Sequence, residues 1–220
     1  SAEKLKKCYE IAPPRVRQYL DAELNHVLKK IRHSDVVIEL GCGYGRILDS
    51  LAAKAASVVG IDTSFSSLSI GKEMYCKRSN CRLAQMNAVQ LAFPDNVFDV
   101  VVCIQNGISA FHVDQRDLLR ECIRITKDGG TILISSYSEK FWKYRLGWFQ
   151  LQADAGLLGE IDYEKTGNGV IICKDGFTAT TVGSAQFKTL TSGIASIRMR
   201  LEEVDNSSLF CEIIPQKNEK

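Results

Sequence analysis

VVIELGCGYGRIL, running from Val36 to Leu48, decides how this chain is read. A β-branched run closing on Glu39 and Leu40 has the character of a buried parallel strand; Gly41, Cys42, Gly43, Tyr44 and Gly45 follow at once, and a helix is expected from Arg46 to Lys54. Glycine admits positive φ and, lacking Cβ, lets a bound molecule lie on the backbone, so three alternate glycines at a strand-to-helix turn predict a cofactor seat. The dinucleotide fingerprint G-x-G-x-x-G places its third glycine one position later, where this chain has Arg46, which argues against NAD. Glu39 adds a carboxylate at the strand tip, which repels phosphate and favours a sulfonium or an amino group.

Outward from this stretch, strands and helices alternate. Strands are expected at Ser57 to Ile61, Arg82 to Met86, Asp99 to Ile104 and Thr131 to Ser136, with helices at Phe65 to Cys76 and Asp114 to Thr126. Such alternation predicts an α/β fold: a doubly wound, mostly parallel sheet with helices on both faces. Lys127 to Gly130 reads as the turn before the last of these strands. Upstream, Arg15 to Ile31 carries apolar residues at helical spacing behind Pro13 and Pro14, after a short charged arm from Glu3 to Cys8. Downstream, Glu139 onward reads as an aromatic-rich helix, 156–169 as a loop, Val170 to Val182 as a hairpin turning at Lys174 to Gly176, and Ser184 to Leu190 as a helix. Ile197 to Val204 and Leu209 to Pro215 read as two strands joined by a turn at Asp205 to Ser208.

Glu39, Gly41, Gly43 and Gly45 match E/D-x-G-x-G-x-G, and on these residues the chain resembles the class I S-adenosylmethionine-dependent methyltransferases. The resemblance implies a Rossmann-like sheet closed by a C-terminal antiparallel hairpin, with S-adenosylmethionine as cofactor and S-adenosylhomocysteine as product. Asp62, at the tip of the second strand, is expected to hold the ribose diol, an assignment dehydrogenases share. Asn87 and Ala88 stand where the family reads adenine, Asn replacing the usual Asp, and the Leu91 to Asp99 run is similar to the family's L-P-F and D-x-x-F-D pattern. Cys42, Thr63, Val89 and Gln105 complete the expected cofactor contacts.

The tip of the fourth strand, Gln105-Asn106-Gly107, lacks the N/D-P-P-Y of nucleobase and amide methyltransferases, while Phe111 to Gly130 resembles the small-molecule pattern. Tyr9, Asn106, His112, Tyr137, Trp142 and Trp148 are expected near the acceptor, and His112, Tyr9 and Tyr137 are the candidate proton acceptors. The aromatic group of Phe141, Trp142, Tyr144, Trp148 and Phe149 could roof a cationic amine or simply pack. In this reading residues 1–220 form one domain: an N-terminal helical lid over 1–34, a cofactor-binding core over 35–138, an inserted substrate cap over 139–183, and a closing helix and hairpin over 184–220. A non-catalytic S-adenosylmethionine or S-adenosylhomocysteine binder is the alternative; an NAD-dependent oxidoreductase is a third reading.

Composition fits these expectations. Apolar content of 45% with 25% charge is ordinary for a folded globular chain. The net charge of +2 comes from opposed charges spread along the sequence, so nucleic acid is not an expected partner. Apolar runs break before bilayer length and no leader is visible, which leads to an expectation of a cytoplasmic protein without a membrane span, monomeric or homodimeric. Five of the eight cysteines, Cys42, Cys103, Cys122, Cys173 and Cys211, read as reduced apolar residues. Cys76 and Cys81 could begin a metal site, but no second Cys/His pair follows at zinc spacing, so no metal is expected. Ser1 and Ala2 are given no meaning.

Overall fold

A computed structural model describes residues 2–74 and 76–217. The helices are α1 (Ala2–Glu10), α2 (Pro14–Lys30), α3 (Leu48–Lys54), α4 (Phe65–Met74), α5 (Gly107–Ala110), α6 (Gln115–Ile125), α7 (Trp142–Asp154) and α8 (Ser184–Thr191), with a 3-10 turn at Glu139–Phe141. The strands are β1 (Val36–Leu40), β2 (Ser57–Asp62), β3 (Cys81–Gln85), β4 (Phe98–Cys103), β5 (Thr126–Tyr137), β6 (Ile171–Ile172), β7 (Thr178–Ala179), β8 (Ile197–Val204) and β9 (Ser208–Pro215). Ser1 and Tyr75, the latter within the helix expected over Phe65 to Cys76, lie outside the described residues.

Seven strands form one sheet in the order β3-β2-β1-β4-β5-β9-β8, parallel except where β9 runs against β5 and β8. Alternation of side chains through the pleat gives the sheet two cores. Ile38, Val101, Ile132 and Ile134 pack with Leu118, Cys122 and Ile125 of α6 on one face. Val37, Val100, Val102 and Leu133 pack with Val27 of α2 and Leu48 and Leu51 of α3 on the other. Both faces are covered, which is why the parallel strands read as continuous apolar runs. Strand order reverses between β1 and β4, and a crevice opens there at the carboxyl ends of the strands.

Two local expectations are corrected, and one disulfide is added. Gly45 takes φ +82° and the turn continues through Arg46 and Ile47, so α3 starts at Leu48 rather than Arg46. Lys127 to Gly130 is not a free turn: β5 begins at Thr126, opposite Phe98, and an irregular register between Phe98 and Val100 absorbs the extra residues, with Gly129 at φ +69°. Cys76 and Cys81 are joined to each other as a disulfide closing the loop from α4 to β3, their Cα atoms 5.6 Å apart, rather than opening a metal site. Among the described residues Cys8, Cys42, Cys103, Cys122, Cys173 and Cys211 are free thiols. No helix among the described residues is long and apolar enough to cross a membrane.

Candidate functional site

The loop after β1 is held in the shape its glycines permit. Gly41, Gly43 and Gly45 all have positive φ (+70°, +55° and +82°), and a Cβ on Gly41 would lie 2.3 Å from Phe111 Cε1. Asp62, at the end of β2, pins the loop: its two oxygens accept from Gly43 N (2.9 Å) and Ser64 N (2.8 Å), each keeping lone-pair capacity. Ser64 Oγ in turn accepts from Ser67 N and caps α4, so Asp62 is not needed as the cap.

Two adjoining hollows flank Phe111 at this crevice. One, about 320 Å³, is lined by Asp62, Thr63, Met86, Asn87, Ala88 and Val113. The other, about 230 Å³, is lined by Tyr9, Glu39, Gly43, Arg46, Asp62 and Gln105 among others, and Gly41 and Phe111 border both. Val89 stands beside the first: its N–H donates to Asn87 Oδ1 (3.1 Å), so the side-chain carbonyl expected to read adenine also braces its own turn.

The smaller hollow holds unpartnered ionisable groups. Glu39 is 6% exposed and its Oε2 has no hydrogen-bonding partner among the described residues. Burial pushes its carboxyl up to about 8, with Arg46 opposing and Asp62 adding to the shift. Arg46 Nε and Nη2 are likewise buried and partnerless, and the guanidinium lies 5.0 Å from the Tyr9 ring centroid. Buried polar atoms normally find partners. An anionic group beside Arg46 and a cationic group beside Glu39 would satisfy all three, and the amino and carboxyl ends of a methionyl group present that pair of charges. The donor set fits S-adenosylmethionine.

The tip of β4 is tightly specified. Gln105 and Asn106 both take left-handed φ (+56° and +62°), a costly pair for side chains other than glycine. Gln105 N donates to Glu23 Oε2 and Ser135 Oγ, both at 2.9 Å, while Gln105 Oε1 accepts from Tyr9 Oη at 2.6 Å. Asn106 Nδ2 donates to Thr180 O (2.9 Å), and Asn106 Oδ1 accepts from Ser136 Oγ (2.7 Å). Glu23 is fully buried; desolvation pushes its carboxyl up to about 7, against hydrogen bonds from Ser135, Ser208 and Gln105.

Beyond this tip a third cavity, about 630 Å³, lies between the start of α7 and the segment 168–186, within the stretch expected to form a cap, with Tyr137, Trp142 and Arg145 on its wall. The expected acceptor residues therefore separate. Tyr9 faces the cofactor crevice, Tyr137 and Trp142 face the cap cavity, and Asn106 stands between. Trp148 is buried behind Tyr9, donating Nε1–H to Cys8 O (3.0 Å), and lines none of these three hollows. His112 is exposed at φ +52° and also stands outside all three. Burial raises the Tyr9 phenol well above its ordinary value and pushes Tyr137 up to about 12, against the pull of Arg46 and Arg145 respectively, so neither is a ready proton acceptor. Four of the five aromatic rings weighed as a cation roof already face a guanidinium of the chain: Arg145 lies 5.8 Å from the Trp142 centroid and 5.4 Å from Phe149, and Arg15 lies 5.0 Å from Phe141 and 5.5 Å from Tyr144; Arg145 also lies 4.7 Å from Tyr137.

Glu23, Arg46, Ser135, Ser136 and Arg145 join the site from outside the sequence-derived set. Glu23 had a signal: it is a charge on the apolar stripe Val16, Tyr19, Leu20, Val27. Arg46 in sequence speaks only against the dinucleotide fingerprint. Ser136 and Arg145 carried no sequence signal.

Residues 38–134 match a family described as a methyltransferase domain. Over the whole chain the fold is similar to that of a putative S-adenosyl-L-methionine-dependent methyltransferase from Methanococcus maripaludis, with TM-score 0.69 and 15% identity, covering 100% of this chain and 95% of that one. The fold is that of the class I methyltransferases, and the matched stretch, 38–134, holds the glycine loop and the strands that border the crevice. Among named relatives, it is 32% identical over 135 residues to a ubiquinone biosynthesis O-methyltransferase from Nitrosomonas europaea, covering 60% of this chain and 53% of that protein. It is 30% identical over 118 residues to a ubiquinone/menaquinone biosynthesis C-methyltransferase from Azotobacter vinelandii, covering 51% of this chain and 46% of that protein. The chain thus spans about half the length of the curated relatives it matches, and the two differ in the atom they methylate.

Proposed function

We propose that this protein is an enzyme that moves a methyl group from S-adenosylmethionine to a small-molecule acceptor by in-line displacement. The observation that carries the reading is the pairing of buried Glu39 with half-buried Arg46, both with buried, partnerless atoms in one hollow beside the glycine loop. Arg46 holds the methionyl carboxylate and Glu39 the amino group; Asp62 takes the ribose hydroxyls, with Thr63 beside it; and Asn87, Ala88 and Val89 border the adenine. When bound, the cofactor supplies a methyl carbon activated by its sulfonium. The chain supplies alignment and exclusion of water: Tyr9 closes over Arg46 from the N-terminal arm, and Glu23, Ser135 and Tyr9 fix Gln105 at the strand tip where donor and acceptor meet.

No proton acceptor is assigned to His112, Tyr9 or Tyr137, so acceptors that arrive with a free lone pair or already ionised suit this site best. The lid over 1–34, core over 35–138, cap over 139–183 and closing elements over 184–220 are proposed as one functional unit, the last three residues lying outside the described ones. The even spread of charge supports a small-molecule acceptor over nucleic acid; a cytoplasmic monomer or homodimer completes the proposal. Incubation with methyl-labelled S-adenosylmethionine and a panel of phenols, acids, amines and thiols tests it. Label transferred to one class is the expected result, whereas saturable cofactor binding with no transfer across the panel would leave a binding protein in its place.

A further inference from the structure

The cap cavity is not a featureless void. Arg145, on α7, is 1% exposed, and its guanidinium donates to Gly169 O (2.7 Å), Ala179 O (3.0 Å) and Thr180 O (3.4 Å). Those bonds use Nη1 and Nη2; Nε is buried with no partner among the described residues, and a guanidinium carries five donors in all. The cation is thus held in place by loop carbonyls, with donor capacity left over, at the wall of the largest of the three hollows. Asn168, Thr181 and Gln186 add neutral polar groups, and the one acidic residue on the wall, Glu139, is exposed to solvent and so screened.

The cavity also stands next to the transfer site. Gln105 lines the cofactor crevice, and its neighbour Asn106 bonds Thr180 O, on the cavity wall. Tyr137 lines the cavity and packs in the cluster that contains Tyr9, which lines the crevice.

Charge then selects the occupant. A cationic acceptor would meet a buried guanidinium and aromatic faces already occupied by it, whereas an oxyanion gains charge-assisted hydrogen bonding from the donors that the loop carbonyls leave over on an already ordered guanidinium. Resting on the methyltransferase reading above, we propose that this cavity seats the methyl acceptor and that the acceptor is a small planar carboxylic acid, its carboxylate met by Arg145 and its ring lying beside Tyr137 and Trp142. Arg145 is then a specificity-determining residue.

Calorimetric titration with 2-naphthoate, 2-naphthamide and 2-naphthylmethylamine, with and without S-adenosylhomocysteine, tests this. The acid should bind at least tenfold more tightly than the amide or the amine, and Arg145→Lys, which keeps the charge but loses the fork, should remove that preference. Because Arg145 also braces the cap, Val170→Trp serves as a second variant: it fills the cavity while keeping Arg145 itself, and should weaken the acid tenfold or more while S-adenosylhomocysteine affinity holds. Equal or tighter binding of the amide or amine, no binding of the acid, or an unchanged affinity in Val170→Trp would overturn the assignment. Failure of wild-type protein to bind S-adenosylhomocysteine would instead count against the methyltransferase reading, and the comparison of the three naphthyl probes is read in either case.

Discussion

Asp62 does two jobs with one carboxylate, holding Gly43 N while keeping acceptor capacity toward the crevice. Asp62→Ala should lower S-adenosylhomocysteine affinity by about 1.5–3 kcal/mol, the usual cost of losing charged hydrogen bonds, measured calorimetrically; an unchanged affinity would remove the ribose assignment. Arg46 allows a cleaner separation, because 5′-methylthioadenosine shares the nucleoside but lacks the amino-acid end. Arg46→Met should weaken S-adenosylhomocysteine at least tenfold and leave 5′-methylthioadenosine within about twofold, since a buried charge pair is lost only for the first ligand. Equal losses for both ligands would show that Arg46 shapes the loop rather than reads the methionyl carboxylate.

At the scale of elements, α6 works as a brace for the segment that leads from β3 to β4. Arg124 donates to Leu91 O, Phe93 O and Asp95, and Glu121 accepts from Leu91 N and Arg124. The Arg124 hydrogen bond is the main reason the Glu121 carboxyl sits below its ordinary value. Arg124→Met frees this segment, and because Asp95 is well exposed the cost should be only about 1–2 kcal/mol. A melting temperature lower by about 2–8 °C is expected; no change would mean the Leu91 to Asp95 run holds its shape unaided.

The same scale shows what the sequence carries. The β-branched strands and their alternation with helices are legible because the sheet is buried on both faces, and the three glycines because each takes a positive φ. The start of α3 is not legible, since Gly45, Arg46 and Ile47 are all compatible with a helix by composition and only the turn geometry excludes them. Arg145 is beyond sequence reasoning for a different reason: its carbonyl partners at Gly169 and Ala179 lie 24 and 34 residues away and come together only through a two-residue hairpin, β6 and β7. Glu23 was readable as a charge on an apolar stripe, but its bond to Gln105, 82 residues on, needs the packed sheet.

For the molecule as a whole, the site stores an electrostatic cost. Burial raises Glu39 to about 8 and Glu23 to about 7 from an ordinary 4.5, so between those values the folded state holds protons that the unfolded chain has released. Stability from these groups is fully present below pH about 4.5 and is lost as pH rises through 7 and 8. Glu39→Gln should flatten that decline and raise the melting temperature of the ligand-free protein at pH 8 by several degrees, each kcal/mol recovered being worth about 2–4 °C. A melting profile unaltered between pH 5 and 8 would show that Glu39 is not the source. Destabilised ligand-free sites of this kind are expected where a cofactor completes the charge pairing.

That pairing is the centre of the account, and calorimetric titration of the purified chain with S-adenosylmethionine, S-adenosylhomocysteine and NAD in parallel tests it most directly. Binding of the first two and not of NAD is the predicted result. Binding of NAD in preference, or of none of the three, would contradict the assignment of Glu39, Arg46 and Asp62 to an S-adenosylmethionine seat.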